Sequence, residues 1–241
     1  PVVAILLAMV ASEDIYSSYD DTKAIMFSIG CASIWLGLLN SVQEICKEKV
    51  ILQKEHMADL KLSSYLLSKF IVQGIIAFIQ ATLLVGIFQK IVGSSEHSIL
   101  IDGYWDIQLV SFLSILAAAS TGLFISAVVK NSNIAMSVIP LILVPQLLYS
   151  GMLFKLDGIT DFVSNFVLCR WTVEALGTSV NLNDLTHIAQ TINPLIEIEP
   201  ENYFTFTTEH MIEVIGIILL MTAVLMLASY FVLRKNVNKN M

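Results

Sequence analysis

The sequence predicts an all-α polytopic membrane protein, and two observations carry that prediction. The chain is 56% hydrophobic and only 14% charged, with a mean hydropathy of +0.77, outside the range of soluble domains. Its apolar residues also gather into stretches of about 20, the length a helix needs to cross a ~30 Å hydrocarbon core. Five stretches read as complete spans: 22–43, 63–88, 107–129, 133–154 and 211–233. A sixth, 1–11, is half present, because at ~1.5 Å rise per residue it reaches about halfway across. The chain begins on Pro rather than Met, so the expected reading is a fragment whose N-terminus lies upstream. No basic region precedes the apolar run, which disfavours a signal peptide.

The elements follow in order. The loop Ser12–Asp21 is short and acidic, and Asp20, Asp21 or Thr22 can cap the second span. That span holds Gly30 and Gly37. An amphipathic elbow, 44–61, comes next and carries four lysines. The third span has Gln73 and Gln80 one heptad apart on one face. In the fourth, Ala118, Gly122 and Ser126 recur every four positions, a small-residue face that lets another helix approach closely. The fifth contains Pro140 and Pro145, each of which removes a backbone donor, with Gln146 beside the second. Freed carbonyls at membrane depth need protein or water partners, so this helix is expected to line a cavity. Helix-to-helix hydrogen bonding is the favoured role for Gln73, Gln80 and Gln146 over substrate contact. The segment 161–176 has helical periodicity but is too short and too charged to span, and is expected as a re-entrant or interfacial hairpin within an external region 155–209.

Lysine and arginine set the orientation. The elbow, the foot of the third span, the 130–132 turn and the C-terminal tail hold nine of the thirteen basic residues: Lys47, Lys49, Lys54, Lys61, Lys69, Lys130, Arg234, Lys235 and Lys239. The opposite side holds sixteen of the twenty acidic residues. The positive-inside rule makes the elbow cytoplasmic and the acidic loops external. The net charge of −7 therefore belongs to external loops, and nothing reads as nucleic-acid binding.

Several chemistries are missing from the sequence. There is no Gly-x-x-x-x-Gly-Lys-Ser/Thr phosphate loop and no Gly-x-Ser-x-Gly elbow. Glu55-His56 with Asp59, and Glu209-His210 with Glu213, lack zinc spacing, so no metal is expected. Cys31, Cys46 and Cys169 read as free thiols, with Cys169 alone on the external side. The middles of the spans lack ionisable residues, which argues against an ion-coupled carrier, since moving a charge requires a site for it. Energy must enter elsewhere, and the elbow is the one charged interruption placed to receive it.

Three segments carry a family resemblance. Residues 48–69, with Lys54-Glu55 ahead of Ser63-Ser64-Tyr65 and Lys69, resemble the link between the second and third helices of ABC-2 type permeases. The similarity is to the G-subfamily (white/multidrug half-transporter) kind. Residues 140–154 resemble that family's fifth helix with its Ser-Gly ending, and 169–177 the external re-entrant hairpin that follows. The resemblance implies a six-span ABC-2 (type II exporter) transmembrane domain over 1–241, with the first span truncated. It implies that Glu48, Lys54 and Glu55 couple to an ATPase, and that Met152 and Leu153 form an apolar plug at the external gate. Two copies, as a homodimer, would enclose a cavity whose lining includes Ser33, Trp35, Pro145 and Gln146. The middle of the second span departs from drug-binding relatives, offering Ser33, Trp35 and Leu36 in place of an aromatic and an amide, so drug specificity does not carry over. Bacterial members often place a phosphothreonine-peptide-binding (FHA) domain and an ATPase domain upstream on the same polypeptide. ATP and Mg²⁺ would bind there, the chain itself holding no cofactor and no catalytic residue. The setting implied is the bacterial inner membrane, and a cavity of apolar groups and amides suits amphipathic or lipid-like cargo. The rival reading is a membrane scaffold or sensor whose elbow recruits a signalling partner; an ion-coupled carrier stands third.

Overall fold

The computed structural model describes residues 1–11, 15–57, 60–95, 97–154, 156–186 and 202–238. The regular elements among the described residues are all helical, with no strand among them. The helices are α1 (Val2–Val10), α2 (Tyr19–Ser41), α3 (Lys49–Met57), α4 (Leu62–Val92), α5 (Gly103–Val128), α6 (Ser132–Leu148), α7 (Ile159–Ser164), α8 (Leu168–Ser179) and α9 (Thr208–Asn238), with a 3-10 turn at Asn202–Phe204 before α9.

Four helices are long and apolar enough to cross a membrane: α2, α4, α5 and α9. They carry the spans predicted at 22–43, 63–88, 107–129 and 211–233. The stretch 133–154 is shorter than expected. Its helix, α6, has 17 residues, roughly 26 Å long at the usual rise. Pro140 and Pro145 both lie inside it and do not end it; the chain leaves the helix at Tyr149 and turns at Gly151, whose φ of +80° favours glycine. The first stretch forms the nine-residue α1.

The central helix is α5, which packs against α2, α4, α8 and α9. Small residues explain its place. A Cβ added to Gly122 would collide with Ser41 Oγ, and one added to Gly37 would collide with the Ile115 carbonyl. The backbones of α2 and α5 therefore nearly touch, and the face of Ala118, Gly122 and Ser126 is the seam the spacing predicts. Around it the core includes Ile29, Leu38, Phe88, Ile107 and Leu176. Short polar ties add direction: the Gln108 amide and the Thr82 hydroxyl meet at 2.9 Å and join α5 to α4.

One expectation about a helix start is corrected. None of Asp20, Asp21 and Thr22 caps α2, because the helix begins earlier, at Tyr19, with Ser18 as its flanking residue. Asp20 and Asp21 lie in the first turn, where negative charge complements the helix dipole. Thr22 instead donates to the Ser18 carbonyl at 2.6 Å and accepts from the Tyr16 amide at 3.1 Å, closing the incoming turn. Asp106 organises the next connection. It is buried at the start of α5, and its carboxylate accepts the amides of Ile99, Leu100 and Ile101 at 2.7–3.1 Å, folding the α4–α5 connection over the helix end.

Candidate functional site

Two polar assemblies occupy opposite ends of the bundle. The first is the elbow. Residues 42–48 turn tightly after α2, and α3 follows, with Leu52 packed among residues of α4 and α5. Ser126, the last of the three recurring small residues on that α5 face, accepts hydrogen bonds from the amides of both Ile45 and Cys46 at 2.9 Å. One buried hydroxyl thus satisfies two amides that the turn would otherwise strand away from water. Beneath it a small core of Ile45, Leu52, Leu62, Leu66, Leu123, Ala127 and Leu233 ties the elbow to α4, α5 and α9.

Charge fixes the elbow to α4. Lys69 lies 2.7 Å from Glu48 and 3.3 Å from Glu44, and the Tyr65 hydroxyl donates to Glu48 at 2.9 Å. Burial alone would raise the Glu48 carboxyl, but the hydrogen bonds from Lys69 and Tyr65, with the Lys69 charge, outweigh it and hold it below the ordinary value. Glu48 is therefore ionised at neutral pH. The pair is partly exposed, so it is worth less than about 1 kcal/mol and acts mainly to set the elbow's angle.

The three residues expected to couple to an ATPase are not brought to one surface. Glu48 precedes α3 and turns inward to α4, whereas Lys54 and Glu55 are exposed on α3. With them on one side of α3 lie Val50 and Ile51, 67% and 56% exposed. Leu52 faces the other way and is buried. The outer face of α3 is thus part apolar and part charged, as a protein-docking surface is. Asp59 and the side chain of His56 lie outside the described residues.

The second assembly lies at the opposite end, around the turn after α6. Met152 is half-buried and Leu153 is 54% exposed. The Ser150 hydroxyl donates to the Leu147 carbonyl at 2.8 Å and accepts from the Met152 amide at 3.3 Å, which shapes the corner. Gln146 reaches across to α8, where its carbonyl oxygen accepts the Cys169 amide at 2.8 Å near the start of that helix. Its amide thus performs the helix-to-helix bonding expected of the buried glutamines. Pro145 is exposed, Ser33 is fully buried and bonded to the Ile29 carbonyl, and Trp35 is 46% exposed. Ser33 and Trp35, two apart on α2, face different ways and share no surface of one chain. Gln73 is buried, and Gln80 faces a groove of about 270 Å³ beside Leu36 and Leu84, its carbonyl oxygen lacking a partner.

Cys169 is not isolated, as the sequence suggested. Helix α8 packs on α2 at Gly30, and there the neighbouring Cys31 thiol, together with burial, pushes the Cys169 thiol well above its ordinary range. The segment 161–176, expected as a re-entrant or interfacial hairpin, forms α7 and α8 with a break at 165–167, and α8 is almost wholly buried against neighbouring helices. Arg170 on α8 stacks between the rings of Trp171 and Tyr203, 4.7 and 4.9 Å from their centroids. It reaches Ser164, Asn165, Asp161 and Glu174, and Glu174 in turn faces His210 at 3.3 Å. Sequence reasoning passed over this group. Its signal was Arg170 and Glu174 four apart in an otherwise apolar stretch. No cluster of three metal-binding side chains occurs among the described residues.

The family model for ABC-2 type transporters matches residues 2–179, which include the elbow, the α2–α5 seam and α8. The chain belongs to the ABC-2 type transporter family. It is an integral membrane protein. It is also similar to the ABC transporter ATP-binding/permease protein Rv1747 of Mycobacterium tuberculosis, at 22% identity over 162 residues. That match covers 66% of this chain but only 19% of the relative, so the chain corresponds to about a fifth of it.

Proposed function

We propose that this chain is the membrane-spanning permease part of an ATP-driven exporter of the G-subfamily kind, with the elbow as its joint to an ATP-binding partner. The observation that carries the reading is the two-sided character of α3. Its inner side packs Leu52 against the spans, and the turn that leads into it is locked to them through Ser126 and the Glu48–Lys69–Tyr65 contacts. Its outer side presents Val50, Ile51, Lys54 and Glu55 to a partner. A push on the outer side is delivered to α4 and α5 without an intervening flexible link. ABC-2 permeases typically pair with ATP-binding components, and the mycobacterial relative is named as carrying both parts. ATP and Mg²⁺ would be held by that partner, which supplies hydrolysis; this chain transmits motion.

In this reading the elbow end faces the cytoplasm, as its lysines favour, and the α7–α8 end faces outward. Two copies face each other, with the exposed Trp35 and Pro145 towards the shared cavity, and Met152 and Leu153 close its outer end. Nucleotide-driven closure tilts the spans and opens that end, an alternating-access cycle. The apolar lining supports amphipathic or lipid-like cargo.

The test uses the full-length protein in proteoliposomes, screened for compounds that stimulate ATP hydrolysis. With a stimulating compound in hand, Glu55→Ala is expected to insert into the membrane normally and to lose the stimulation. Stimulation at the wild-type level would remove Glu55 from the joint. The scaffold reading predicts no compound-dependent hydrolysis at all.

A further inference from the structure

The end of the bundle opposite the elbow holds charge that the permease reading does not use. Arg170 and Glu174 stand four apart on α8, with side chains 10% and 6% exposed. Three carboxylates bear on the site: Glu174 itself, Asp161 from α7 and Glu213 from α9. Against them stand one guanidinium, Arg170, and the imidazole of His210 on α9. Tyr203 donates its hydroxyl to Asp161 at 2.9 Å, and its carbonyl lies 3.0 Å from His210 Nε2. A carbonyl only accepts, so Nε2 bears a hydrogen, and Glu174 Oε1 lies 3.3 Å from the same nitrogen. Arg170 spends Nη1 on Ser164 and Asn165, while Nη2 faces Asp161. That leaves Arg170 Nε and Glu174 Oε2 buried and without hydrogen bonds. Both residues line a space of about 20 Å³, room for about one water, beside Ser150 and Met152.

Three carboxylates against one permanent cation leave an excess of negative charge where there is little water to stabilise it, and a proton relieves that cost. We infer that Arg170, Glu174 and His210 form a proton-binding latch that fastens α8 to the head of α9 and holds the Ser150–Met152 corner against them. Burial pushes the Glu174 carboxyl up; Arg170 opposes this, Glu213 and Asp161 add to it, and the balance stands at about 7. The sign follows. Between the ordinary value of 4.5 and about 7, the closed latch holds a proton that a hydrated Glu174 would have released. Its stability is therefore highest in acid and falls as pH rises through that window. The consequence for transport rests on reading the corner as the external gate, but the latch itself does not.

Hydrogen exchange tests it directly. The full-length protein in lipid nanodiscs is exchanged at pH 6 and pH 8, and protection of residues 168–179 is corrected for intrinsic exchange rates. Protection is expected to fall about tenfold from pH 6 to pH 8, the ratio of proton-binding terms for a group titrating near 7. Glu174→Gln, neutral at both pH values, should abolish the step. Should that variant fail to fold, Glu213→Gln removes a charge from the exposed rim and should move the step to lower pH. No step in the wild type, or an unchanged step in the folded variant, overturns the latch. A step that behaves as expected while external pH leaves ATP-driven transport unaltered upholds the latch and removes this corner from the gate.

Discussion

Ser126 shows how much one residue settles here. Its hydroxyl accepts two amides from the turn that begins the elbow. Ser126→Ala strands both donors in a dry site and is expected to cost about 2–3 kcal/mol, read by denaturant titration in mixed micelles. Ser114, on the same helix, is the control: its hydroxyl is buried without a partner, so Ser114→Ala should be neutral or slightly stabilising. Equal losses for the two would show that packing, not hydrogen bonding, decides this face. The sequence marks Ser126 only as small, because spacing reports a face and says nothing of what a hydroxyl on it will meet. Gln146 was harder still to read. Its neighbouring prolines point to a cavity, yet its amide is held by the Cys169 backbone, 23 positions away.

Between elements, the α2–α5 crossing sets the architecture. At Gly37 an added Cβ meets a carbonyl, which cannot turn aside, whereas at Gly122 it meets the Ser41 hydroxyl. Gly37→Val is therefore expected to destabilise by about 1–3 kcal/mol through overpacking. Gly122→Ala paired with Ser41→Ala should recover much of the loss of Gly122→Ala alone, since the pair removes the colliding atom. A double-mutant cycle in the same micelles checks this, and strict additivity would contradict the contact. The four long spans were legible because 20-residue apolar runs follow directly from bilayer thickness. The length of α6 was not, since an apolar run continues through 149–154 after the helix has ended at a turn that Gly151 permits. The burial of α8 also escaped notice. Its charges argued only against a span, and only the tertiary arrangement pairs Arg170 and Glu174 with groups from α7 and α9.

Over the whole molecule, the asymmetry of charge organises function. Lysines gather at the elbow end and carboxylates at the other, and each end turns its charge into a fastening: Glu44, Glu48 and Lys69 in the first, Arg170, Glu174 and His210 in the second. Spans whose middles lack ionisable residues connect the two. The elbow was legible as a joint because it is the one basic amphipathic interruption, but its division of labour was not. Glu48 holds α4, while Lys54 and Glu55 face outward with two exposed aliphatics. The most direct test of that joint is site-specific photocrosslinking. A benzophenone side chain is placed at Ile51 of the full-length protein in native membranes, and the crosslinked peptides are identified by mass spectrometry. Crosslinks from Ile51 into an ATP-binding domain, absent when the probe replaces the buried Leu52, are the result the account predicts. Crosslinks confined to lipid or to the spans, with none in an ATP-binding domain, would contradict it.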